Sequence, residues 1–79
     1  MNKAKIKLST PEMVGDFIKV CSKYDCDINL YDCRSILDAK SVVAVFSVQL
    51  GKEIETEIIT NDENIVLNFM NDMRKFEVK

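Results

Sequence analysis

Lys3-Ala4-Lys5-Ile6-Lys7-Leu8 alternates polar and apolar at every step, so Ala4, Ile6 and Leu8 share one face of a half-buried strand. The period then changes. Val14, Phe17, Ile18 and Cys21 recur at i, i+3, i+4 and i+7, the single buried stripe of a helix ending near Lys23 or Tyr24. Thr10 and Pro11 mark its start. A hydroxyl can cap the orphan amides, and a proline at the first helical position gives up an N–H that has no partner there. Residues Asp27-Ile28-Asn29-Leu30 and Arg34-Ser35-Ile36-Leu37 read as two short strands, joined by Tyr31-Asp32-Cys33 in a hairpin without Asn-Gly or Asp-Gly turn chemistry.

The segment KSVVAVFSVQLG, residues 40–51, is ambiguous. Its β-branched residues favour strand, whereas Ser41 is a good N-cap and Gly51 a good helix stop. Residues 53–58 alternate again, with glutamates on one face. Glutamates there and lysines on the first strand would suit direct neighbours in a sheet, each cross-strand pair contributing about 0.2–1 kcal/mol. Thr60 and Glu63 then have capping-box spacing at the head of a second long helix. Val66, Phe69, Met70 and Met73 form its stripe, and Phe76 extends it. Strands that alternate and two helices with one apolar face each predict an α+β domain, with helices on one side of a mainly antiparallel sheet.

Composition narrows the function. The 79 residues suit one domain, 1–79, with 47% apolar and 30% charged side chains. A net charge of −2 gives no electrostatic footprint for nucleic acid, and the lysine row of the first strand reads as a solvated face. The longest apolar run, residues 42–46, is too short to span a bilayer, and no apolar core follows the basic N-terminus as in a signal peptide. A soluble, cytoplasmic protein without membrane attachment is expected. Cys21, Cys26 and Cys33 form no CxxC pair, and there is no histidine, so reduced structural thiols are expected, with no metal and no cofactor. No constellation for independent catalysis is present, which predicts a protein that is not an enzyme.

SKYDCDINL, followed by LDAKSVVAVFSVQLGKEIETEI, resembles the HPr family, the histidine-containing phosphocarrier proteins of the bacterial sugar phosphotransferase system. The resemblance runs without gaps from about Thr10 to Ile59. Its most specific part is Asp38-Ala39-Lys40-Ser41 leading into a short apolar helix and Leu50-Gly51-Lys52. It implies an open-faced β-sandwich, four antiparallel strands in the order 1-4-2-3 covered on one side by three helices. It also implies that the ambiguous segment is helical, from about Val42 to Leu50.

In that family a histidine capping the first helix carries the phosphoryl group, and an arginine two residues later helps to hold it. Those positions fall here on Thr10 and Glu12, so the resemblance breaks at the chemistry itself. A threonine phosphoester is a poor phosphoryl donor. A carboxylate at Glu12 favours a bare helix N-terminus by about 0.3–1 kcal/mol, but would repel a phosphate on Thr10. Thr10 is therefore expected to be a cap alone. The family's regulatory serine matches Ser41, a candidate phosphorylation site where Lys40 adds a positive charge and Asp38 an opposing one; the alternative is a plain N-cap. Val42, Val43 and Phe46 match side chains on which partners dock in the family, the alternative being burial under the neighbouring loop. The resemblance thus implies a regulatory or adaptor protein linked to the phosphotransferase system. Its partners would be proteins, among them a phosphotransferase-system enzyme, a serine kinase or a transcriptional regulator. Two other readings stay open: a phosphotransfer participant accepting phosphate at Thr10, and a scaffold reused for an unrelated partner.

Overall fold

The computed structural model describes residues 2–33 and 35–78. In chain order the elements are β1 (Lys3–Lys7), α1 (Pro11–Ser22), β2 (Asp27–Asp32), β3 (Ser35–Asp38), α2 (Val42–Phe46), β4 (Glu53–Ile59), α3 (Glu63–Met73) and a 3-10 turn, Arg74–Phe76. The strands form one antiparallel sheet in the order β1-β4-β2-β3. The helices cover one face, giving the open-faced sandwich and strand order that the resemblance implies.

Register follows from alternation, because a slip of one residue would turn every apolar side chain to water. Ala4 and Ile6 of β1, Ile28 and Leu30 of β2, and Ile54 and Ile58 of β4 are buried beneath the helices. Val14, Phe17, Ile18 and Cys21 of α1 meet them, joined by Phe69 and Met73 of α3. Phe76 extends that stripe through the 3-10 turn and packs edge-on against Phe17, ring centroids 5.6 Å apart. Thr56 is the one buried polar core residue among those described, and its hydroxyl donates to the Asn29 carbonyl at 3.0 Å. On the open face Lys3, Lys5 and Lys7 stand opposite Glu57, Glu55 and Glu53, as their charges suggest. Burial of Cys21 pushes its thiol up to about 12.

Three boundaries differ from the sequence reading. Strand β2 continues through Tyr31 to Asp32, pairing Tyr31 with Ile36 and Asp32 with Ser35, so the hairpin is tighter than Tyr31-Asp32-Cys33 implied. Cys33 takes a positive φ of 40° in the turn, and the predicted strand residue Arg34 lies outside the described residues. Helix α2 ends at Phe46 rather than near Leu50. There the Ser47 hydroxyl donates to the Ala44 carbonyl and the Val48 amide turns back to Val45 O at 3.2 Å, closing the helix while Val48 enters the core. Finally, no capping box forms at Thr60 and Glu63. Asp62 caps α3, its carboxylate accepting from the Asn64 and Ile65 amides, while Thr60 Oγ1 accepts from the Asp62 amide.

Candidate functional site: two helix starts and an exposed apolar helix

The start of α1 is capped. Thr10 has extended backbone, and its Oγ1 accepts from the Met13 amide at 3.2 Å. Pro11 fills the first helical position and Glu12 is the acidic residue of the first turn, favourable toward the helix dipole. The Gly51 amide donates to Leu8 O at 2.8 Å, tying the loop before β4 to the chain just ahead of Thr10. Gly51 has a φ of +80°, a left-handed conformation that glycine enters without a steric penalty.

The start of α2 is also capped. Ser41 Oγ accepts from the Ala44 amide at 3.3 Å, and the Ser41 amide donates to Asp38 O at 3.0 Å. Asp38 Oδ1 accepts from the Lys40 amide at 2.9 Å, placing a carboxylate within the turn that leads into the helix. The Lys40 ammonium is not directed at Ser41. It donates to the Tyr24 carbonyl beyond α1, so the charge expected beside the serine is engaged elsewhere.

Helix α2 divides cleanly. Val45 is fully buried and anchors the helix, whereas Val42 is 56%, Val43 84% and Phe46 51% exposed. The neighbouring loop does not cover these three side chains. Leu50, absent from the sequence-derived candidates, is also exposed, at 45%. Its spacing of four from Phe46 was a signal only if the helix had continued. Among the described residues, no group of three or more histidine, cysteine or carboxylate side chains is placed to hold a metal ion. No helix among them is long and apolar enough to cross a membrane.

A helix-capped sheet in this order, with two capped helix starts beside it, has the fold of the HPr-like phosphocarrier proteins. The solved structures of that fold resemble the chain over nearly its whole length. The HPr-C-His protein of Thermoanaerobacter tengcongensis has a TM-score of 0.72 at 21% identity, over 95% of this chain and 92% of that one. The histidine-containing phosphocarrier protein of Mycoplasma has a TM-score of 0.70 at 17% identity, over 92% of each chain. Crh, the Bacillus subtilis catabolite repression containing protein, was solved as a dimer with a swapping domain; its TM-score is 0.64 at 14% identity, over 94% and 88%. Neither a protein-family model nor a curated protein sequence matches the chain.

Proposed function

We infer that this chain is a non-enzymatic regulatory or adaptor protein of the HPr type, linked to the sugar phosphotransferase system and acting by binding a protein partner. The observation that carries this reading is the exposure of Val42, Val43 and Phe46 on a helix whose third valine, Val45, holds it to the core. Apolar side chains kept in water on a short, anchored helix form a small recognition surface. The start of α1 supports the same reading from the other side. A chain with Thr10 and Glu12 at the phosphocarrier positions has no imidazole to relay a phosphoryl group, and its carboxylate opposes one on the threonine.

Phosphorylation of Ser41 is the proposed switch. A phosphate there would meet the free amides at the head of α2 and lie beside Val42 and Val43, changing the charge of the docking surface. It would have to overcome Asp38, with Lys40 committed to Tyr24. The test joins two readouts on the chain purified from its host. Peptide mapping after growth on different carbon sources should find phosphate on Ser41 that varies with the source. Replacing Phe46→Asp should remove the bound partner. Phosphate on Thr10 would restore the carrier reading, and an unchanged set of partners with Phe46→Asp would refute docking on α2.

A further inference from the structure

Three cysteines lie in different surroundings. Cys21 is fully buried and Cys26 half-buried, but Cys33 is exposed at the tip of the β2–β3 hairpin. Its backbone has a positive φ of 40°, where glycine or asparagine would be the ordinary choice, so turn chemistry does not account for a cysteine. The sulfur also has a partner. Lys52, the residue after Gly51, donates from Nζ to Cys33 Sγ and makes a 3.3 Å ion pair with Asp32 Oδ1. Hydrogen bonds from the ammonium, to Cys33 first and to Asp32 second, raise the Lys52 pKa.

Two features hold this pair in register. Asp32 is the last residue of β2, paired with Ser35, so the ladder fixes where its carboxylate stands. Lys52 is positioned by its backbone N–H, which donates to Gln49 O at 3.4 Å, and by the Gly51–Leu8 contact just before it. The Lys52 and Asp32 side chains keep only 35% and 24% of their exposure, tighter than the 65% and 50% of the Lys5–Glu53 pair on the open sheet face. An amine nitrogen is thus held against an accessible thiol sulfur, with a carboxylate keeping it there.

We propose that Cys33 and Lys52 form a redox-controlled covalent bridge, made under peroxide and undone by thiols. In the first step the Cys33 thiolate attacks one oxygen of hydrogen peroxide; an S–O bond forms, the O–O bond breaks, and hydroxide leaves. Sulfur is oxidised to the sulfenic acid and the peroxide is reduced. In the second, the Lys52 amine, having given its extra proton to solvent, attacks the same sulfur. An N–S bond forms, the S–O bond breaks, and the hydroxyl departs as water with a proton from the nitrogen. The sum is one thiol, one amine and one peroxide giving one sulfenamide and two waters. A low-molecular-weight thiol reverses the bridge by attacking sulfur and releasing the amine. Bridging would clamp the tip of the β2–β3 hairpin to the loop between α2 and β4. It is independent of the docking reading above.

The experiment treats the full chain with hydrogen peroxide and measures intact mass, followed by tryptic mapping without reductant. Bridging lowers the mass by about 2 Da, two hydrogens, and thiol treatment restores it. Trypsin then no longer cuts after Lys52, and the fragment 24–34, which carries Cys33, is found joined to 41–74. A disulfide between Cys26 and Cys33 has the same mass, but leaves Lys52 cleavable and the change within 24–34. Lys52→Arg retains the positive charge, and should abolish the joined fragment while Cys33 still takes up oxygen. Oxygen added to Cys33 with Lys52 cleavable in the unmodified chain overturns the proposal. So does a disulfide in place of the joined fragment, or no reaction at Cys33.

Discussion

Val43→Asp separates exposure on α2 from the stability of the fold. The valine side chain is 84% exposed, so only about a sixth of its area is withdrawn from water in the folded chain. Full burial of such a side chain stabilises by about 1.5–3 kcal/mol, which leaves about 0.2–0.5 kcal/mol to lose. Opposing this, the first turn of α2 has no acidic residue, and an aspartate there meets the positive end of the helix. That gain is at the low end of the usual range, about 0.3 kcal/mol, because α2 has only five residues. The two contributions nearly cancel. Urea denaturation followed by far-ultraviolet circular dichroism should place Val43→Asp within about 0.5 kcal/mol of the parent, with an unchanged slope. Partner binding, by contrast, should collapse. A stability loss of about 2 kcal/mol or more, the scale of a buried apolar side chain, would refute the argument. It would mean that Val43 is packed away in solution, against a second copy or a rearranged loop.

Phe17→Ala removes a fully buried ring and its edge-on contact with Phe76, and should cost about 3–5 kcal/mol; a stability loss under a third of that in the same urea titration would show that the core is looser than described. Alkaline stability should report Cys21. Its folded-state pKa stands near 12 against an ordinary 9.0, so between those values the unfolded chain gives up the proton first. Stability then falls as pH rises, by up to about 1.4 kcal/mol per pH unit from this group. Cys21→Ala should flatten that slope, and an unchanged slope would assign it to other groups.

Periodicity made the cores of α1 and α3 legible, since Val14, Phe17, Ile18 and Cys21 share one helical spacing with Val66, Phe69, Met70 and Met73. The β1–β4 pairing was legible for an electrostatic reason: three lysines and three glutamates alternate in strands that lie side by side. Helix α2 was not. Val42, Val43 and Val45 have strand propensity, and their helical state rests on the local Ser41 cap and on Val45 burial, a tertiary effect outside local sequence. The cap of α3 was misplaced because Thr60 and Asp62 are both competent and only two residues apart, and the backbone used the second. The exposure of Phe46 and Leu50 depended on where the helix stopped. The Cys33–Lys52 contact could not be read at all, because the two residues are 19 apart and meet only when β2 and β4 are neighbours.

The order in which the strands pair has a consequence for biosynthesis. Strand β1 is made first, yet its partner in the sheet is β4, with Lys3 opposite Glu57, and its other side is bonded through Lys5 O to the Val78 amide. Strand β1 therefore lacks its sheet partner until β4 has left the ribosome. The β2–β3 hairpin, whose contacts are local, can close much earlier. Ala4, Ile6 and Leu8 are left waiting in solution during that interval, an apolar row guarded by three lysines that repel one another's chains. The lysines paired with glutamates in the finished sheet thus serve the nascent protein first, as its protection against joining the wrong neighbour.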